Sequence, residues 1–178
     1  AVCIMNTSFT MLSASALILM VIGLCLARPL LILFGASSEA LTYALPYLMV
    51  YLIGTLPSML SVGMNPFINA QGYSVIGMIS VAIGAVANLL LDPLFIFVPG
   101  FGIRGAAIAT VISQVLSAVF VLYFLTRKSE LKVRLLHKSE VPKCLGYAKN
   151  ITSLGTAGFI MQITNSLVTI CCNNVLSV

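Results

Sequence analysis

One short stretch, Asn88-Leu89-Leu90-Leu91-Asp92-Pro93, holds the side chains best placed to do chemistry. Apart from Asp92, the apolar run from Val75 to Val98 carries no charge. A carboxylate at that depth in hydrocarbon costs roughly +2.5 to +3.5 kcal/mol on insertion scales, so such residues usually face a cavity and serve a function. Asn88 lies four residues before Asp92, one helical turn away on the same face. Pro93 has no N–H, which leaves the carbonyl of Leu89 without its helical partner and free to ligate. One acid, one amide and one unpaired carbonyl within about a turn outline a small cation or proton site. The acid can take a proton from one side of a membrane and release it to the other.

A site of this kind needs membrane-spanning helices to hold it, and the composition supplies them. Hydrophobic residues make up 60% of the chain and charged residues 7%. Soluble domains average about 25% charged, and too few polar residues remain here to coat a water-exposed surface. The class is therefore all-α, a polytopic transmembrane helical bundle. The net charge of +5 is no nucleic-acid signal, because seven of the nine basic residues fall between Arg127 and Lys149. Under the positive-inside rule that stretch is a cytoplasmic loop. The five cysteines have neither metal-ligand spacing nor a disulfide framework and are expected to act as small buried hydrophobes. The chain shows no nucleophile–base pair and none of the P-loop, HExxH or GxSxG patterns, so no enzyme and no cofactor is expected beyond a coupling ion.

Five spans are expected. The first runs from Ser8 to Ala27, long enough to cross roughly 30 Å of hydrocarbon, and ends at Arg28-Pro29. Ser37 or Ser38 is a candidate cap for the second, which runs from Leu41 to Gly63 and is expected to kink at Pro46 and Pro57. Met64 to Ser74 reads as a polar connection. Val75 to Val98 is the third span, Pro99-Gly100-Phe101-Gly102 a tight turn, and Arg104 to Thr126 the fourth. Its opening run of small residues, Gly105-Ala106-Ala107, is expected to pack closely against a neighbour. Arg127 to Asn150 is a basic loop, longer than the roughly 12–15 residues of most connections. Ile151 to Leu176 is the most polar span and reads as a lining helix, with Gln162 and Asn165 facing a path. With the basic loop inside, the fourth span ends inside and the third ends outside.

Several passages resemble the multidrug and toxic compound extrusion (MATE) transporters. Leu33-Phe34-Gly35-Ala36, Glu39-Ala40-Leu41 and Pro46-Tyr47-Leu48 resemble the segment joining their third and fourth helices. Asn65 through Gly72 is similar to the end of the fourth. Asn88 through Phe97 and Gly102 through Gln114 are similar to the fifth and sixth. The resemblance implies that residues 1–126 are four N-lobe helices, 127–150 a cytoplasmic linker between two lobes, and 151–178 the first C-lobe helix. Five spans and an opening in mid-pattern are expected of a piece of a longer chain, whose remaining helices would be its partners.

The resemblance also implies roles. Asp92 matches the N-lobe acid that titrates or holds the cation, H+ or Na+. Asn88 matches the amide one turn before it, and Thr110 a hydroxyl that joins the same site. Tyr47 matches a tyrosine lining the substrate cavity, where Gln162 and Asn165 are further candidates. The implied function is cation-coupled export of amphiphilic, drug-like cations across a cell membrane. Two departures stand out: the ion-site acid on the family's first helix has no counterpart, and Tyr73-Ser74 replaces the usual basic residue after Gln71-Gly72. The alternatives are a lipid-linked oligosaccharide flippase of related fold and an inactive truncated membrane fragment. The flippase should line its cavity with several arginines, whereas only Arg28 and Arg104 lie near spans, both at their ends.

Overall fold

The computed structural model describes residues 2–33, 38–97, 102–129 and 141–176. The described residues form six α-helices: α1 (Val2–Leu33), α2 (Ser38–Ile53), α3 (Thr55–Ala70), α4 (Ser74–Phe97), α5 (Gly102–Tyr123) and α6 (Val141–Leu176). A single π-helical turn, Phe124–Lys128, extends α5. The chain divides into two units, residues 1–135 and 136–178. The turn residues Pro99, Gly100 and Phe101, the candidate cap Ser37 and loop residues 130–140 lie outside the described residues.

In the first unit α4 packs most extensively on α5, and α3 and α2 also pack on α5. The small residues that open α5 make this possible. Ala107 and Ala109 are fully buried, and Gly105 lies directly against the backbone of Phe95 on α4. A separate apolar core of Met5, Met64, Ile68, Val121, Phe124 and Leu125 closes the opposite end of the unit, with Phe9, Leu12 and Tyr73 packed around it. The outward faces remain apolar. Leu89 and Leu90, immediate neighbours of Asn88, are 73% and 65% exposed, the arrangement expected of a helix with lipid outside and polar groups within.

Several expected boundaries move. α1 does not stop at Arg28-Pro29 but continues to Leu33 with Pro29 inside it. The proline removes one i→i−4 bond, and leaving the helix within an apolar layer would unpair several more. The second span is two helices bent by 45°, and the break falls at Gly54 rather than at Pro46. Pro57 explains the position. It occupies the first turn of α3, where its missing N–H is harmless, and its ring excludes the carbonyl four residues earlier. Met64 to Ala70, expected as a connection, is helical through Pro66, because Asn65 bonds across to α4 and Asn69 bonds back to Asn65 one turn earlier. The true turn is Gln71-Gly72-Tyr73. There Gly72 adopts φ +86°, its N–H donates to the Asn69 carbonyl at 3.0 Å, and the Tyr73 N–H donates to that of Ile68 at 3.2 Å. This is a Schellman cap, a conformation that suits glycine. Cys25 is exposed on α1, not buried, because the surface there is itself apolar.

Three described helices are long and apolar enough to cross a membrane, α1, α4 and α5 with its π turn, or four spans if the bent α2–α3 pair is one. α6 is not among them. It carries Asn, Gln, Thr and Ser along its length, and its helix begins at Val141, within the segment expected to be a loop.

Candidate functional site

α4 presents one face to its neighbours, on which Gly77, Ser80, Gly84, Asn88 and Asp92 recur at helical spacing. Near the C-terminal end of this face, Asn88 Nδ2 donates to Asp92 Oδ1 at 3.2 Å. The same nitrogen donates to Thr110 Oγ1 on α5 at 3.3 Å. The Thr110 hydroxyl gives its own proton to the Ala106 carbonyl at 2.9 Å, so its lone pairs are turned toward Asn88. Asp92, Asn88 and Thr110 are all half-buried. The three residues expected to form an ion site therefore meet, joined through one amide. Their oxygens are a carboxylate, an amide carbonyl and a hydroxyl, a hard donor set suited to a proton or a small cation. Pro93 stays inside an unbroken α4, which leaves the Leu89 carbonyl with no N–H four residues on.

A cavity of about 280 Å³ adjoins this site, and Asn88 and Thr110 form part of its wall. The rest of the polar lining is Ser58 and Ser61 from α3 and Ser113, Gln114 and Ser117 from α5. At the end away from Asp92 the side chains knit three helices together. Ser117 Oγ donates to the Ser80 carbonyl at 2.8 Å. That leaves Ser61 Oγ as the donor in its 2.6 Å bond to Ser117 Oγ. Asn65 Nδ2 donates to Ser80 Oγ at 2.6 Å and to the Gly77 carbonyl at 2.9 Å, and the Ser80 hydroxyl donates to the Gly77 carbonyl at 2.7 Å. Asn69 Nδ2 extends the cluster to Asn65 Oδ1 at 3.1 Å.

The sequence reading did not single out these serines or Gln114 as site residues. The signal was their spacing: Ser61, Asn65 and Asn69 fall every four residues on α3, while Thr110, Ser113, Gln114 and Ser117 share a face of α5. Tyr47 lies half-buried on α2 and stacks on Tyr51, ring centroids 6.1 Å apart. It is not among the residues that line the cavity. Gln162 and Asn165 lie in the second unit on successive turns of α6, where the Ser166 hydroxyl donates to the Gln162 carbonyl at 3.0 Å.

This is a multi-pass helical membrane protein with a largely apolar cavity, edged by hydroxyls and amides, beside a membrane-embedded acid, the architecture of a transporter. The sequence profile of the MatE family matches residues 1–94, more than half of the chain, which therefore belongs to that family, one of transporters and not of enzymes. Similar curated proteins include the multidrug export protein MepA of Staphylococcus haemolyticus (strain JCSC1435), 28% identical over 160 residues, which are 88% of this chain and 35% of that protein. MepA of Staphylococcus saprophyticus is 30% identical over 131 residues, 74% of this chain and 29% of that protein. Among solved structures, the chain is similar to a multidrug resistance MATE family transporter of the MOP superfamily in an inward-facing conformation. The TM-score is 0.66 at 27% identity, over 76% of this chain and 32% of that one. A MATE in the bent conformation superposes with a TM-score of 0.67 at 22% identity, over 81% of this chain and 38% of that one, a likeness of fold alone. The chain spans about a third of the length of the curated relatives it matches.

Proposed function

We propose that this chain is the N-lobe portion of a cation-coupled antiporter that exports amphiphilic, drug-like cations by alternating access. Residues 1–126 are the N-lobe helices, 127–150 a cytoplasmic linker and 151–178 the start of a C-lobe, within a longer chain in the cell membrane. The coupling ion, H+ or Na+, binds at Asp92, Asn88 and Thr110. The substrate occupies the cavity, with Tyr47, Gln162 and Asn165 contributing further contacts along its path.

The observation that carries this reading is the join between ion site and cavity. Asn88 and Thr110 belong to both, so an ion that reorders them reshapes the wall a substrate touches. The names of the curated relatives, multidrug export proteins, favour the same reading. Moving a proton onto Asp92 would remove its charge and add an O–H donor beside a weaker acceptor oxygen, loosening its bond from the Asn88 amide. A sodium ion would instead draw the three oxygens together. Either event shifts α4 against α5 near Pro93, and the bend at Gly54 lets α2 and α3 follow.

The test is efflux of a fluorescent cationic dye from a pump-deficient host expressing the full-length carrier, wild type against Asp92→Asn, with the proton and sodium gradients collapsed in turn. Dye export by wild type, its loss in the variant and its abolition by one ionophore are expected. If Asp92→Asn stays coupled to a gradient, Asp92 is a structural acid. If neither protein moves dye although both reach the membrane, a flippase role moves ahead.

A further inference from the structure

In the cavity wall most of the polar groups already have a partner, and one buried atom does not. Thr110 and Ser113 donate to carbonyls of their own helix, Ser61 and Ser117 bond each other, and Asn88 bonds Asp92 and Thr110. Gln114 Oε1, by contrast, is the only buried side-chain polar atom among the described residues with no hydrogen-bond partner. It lies one turn beyond Thr110 on α5 and packs against Gly54 at the α2–α3 bend, where a side chain at position 54 would collide with it. A buried acceptor without a donor is unfavourable, and no described residue supplies one. The terminal torsion of glutamine is broad, so the amide can turn from Gly54 into the cavity that Gln114 lines.

The contents of the cavity then decide whether this oxygen is satisfied. Water can donate to it, and so can a cation that bears an N–H. A quaternary cation of the same size displaces water and offers nothing in return. A site built to bond a donor rejects the analogue that lacks it.

We propose that Gln114 is a specificity-determining residue of the cavity: its amide oxygen accepts a hydrogen bond from the N–H of a protonated amine or amidine, selecting such cations over quaternary ones of equal size. This rests on the extrusion reading above and adds the chemical class of substrate. Asp92 lies outside the cavity wall, so its charge attracts both cations alike.

The test uses the purified full-length carrier in detergent and a matched pair of ligands, a protonated tertiary amine dye and its N-methylated quaternary analogue. Binding of each is titrated to wild type, Gln114→Met and Gln114→Glu. Methionine keeps the volume and removes the acceptor, and glutamate keeps the acceptor. Wild type is expected to favour the amine by about tenfold, the worth of one buried hydrogen bond to a charged donor. In Gln114→Met the ratio should fall to near one through weaker amine binding alone, while Gln114→Glu should keep a preference for the amine. An unchanged ratio in Gln114→Met, or equal weakening of both ligands, overturns the proposal and leaves the extrusion reading intact. If wild type binds neither cation, the extrusion reading itself fails and the proposal with it.

Discussion

Replacing Gly105 by alanine tests whether the closeness of α4 and α5 is what assembles the ion site. A methyl group added at Gly105 would lie 2.7 Å from the carbonyl carbon of Phe95 and closer still to its oxygen. Both are backbone atoms, so no side chain can rotate out of the way. Ordinary contact begins near 3.4 Å, so the carbonyl carbon alone requires the helices to part by about 0.7 Å at this level, and the closer oxygen requires more. Alanine gains about 1 kcal/mol of helix propensity over glycine, whereas overpacking costs about 1–3 kcal/mol. A backbone collision belongs at the upper end of that range, so the net destabilisation should be about 1–2 kcal/mol. The ion site should lose more. The Asn88–Thr110 bond is already 3.3 Å long, and a parting of that size takes it out of hydrogen-bonding range. Gly84→Ala on the facing helix is the control. Its added methyl would meet the Cβ of Ser117 at 3.3 Å, with the Ser113 carbonyl oxygen and the Ser117 hydroxyl in ordinary contact at 3.7 Å, so propensity and crowding should nearly cancel. Thermal unfolding of the full-length protein in detergent, with ion-coupled dye efflux alongside, reads both effects. A Gly105→Ala protein as stable as wild type and still coupled would refute the argument.

Two further substitutions probe the other end of the unit. Ser117→Ala removes the acceptor of the Ser61 hydroxyl and a donor to the Ser80 carbonyl; it should cost about 1–2 kcal/mol in an unfolding titration. Adding Ser61→Ala should cost little more, because the two side chains form one unit. Gly72→Ala places a Cβ on a residue with φ +86° and should lower stability by about 1 kcal/mol, with no effect on ligand affinity, since the turn lies outside the cavity wall. A melting point unchanged by Gly72→Ala would argue against the left-handed cap.

The acid and amide of the proposed ion site were legible because i,i+4 spacing on an uninterrupted apolar helix admits one geometry. Thr110 was not legible from spacing, since a lone threonine in a span is more often bonded to its own backbone, as this one also is. Its placement came from resemblance, and the α4–α5 crossing brings it to Asn88. The apolar stretches marked the helices but not their ends. Asn65, Pro66 and Asn69 look like loop residues when water is assumed to be their partner, and here Asn65 bonds Ser80 and the Gly77 carbonyl while Asn69 bonds Asn65. Gln114 was overlooked for a similar reason: a glutamine in a span signals only that something polar is near, and the three-dimensional wall is needed to show that no described residue bonds its oxygen.

The inner face of α4 explains why a single helix can be rigid at one end and responsive at the other. Its small residues, Gly77 and Gly84, let α3 and α5 approach. Toward Gly77 the Ser61, Asn65, Ser80 and Ser117 donors are directed at specific acceptors at 2.6–2.9 Å, so sliding α4 there would break several bonds together. Toward Asp92 one amide is shared between two acceptors at 3.2 and 3.3 Å, near the limit of useful hydrogen bonding. Rearrangement is cheapest where the bonds are longest. Binding or loss of an ion at Asp92 should therefore move the α4–α5 contact at the Asn88 end of the cavity and leave the Ser61–Ser117 end in place, narrowing or widening the space by rotation about a fixed floor. Ser117→Ala should unfix that floor, and the coupled carrier should then leak ions without exporting dye.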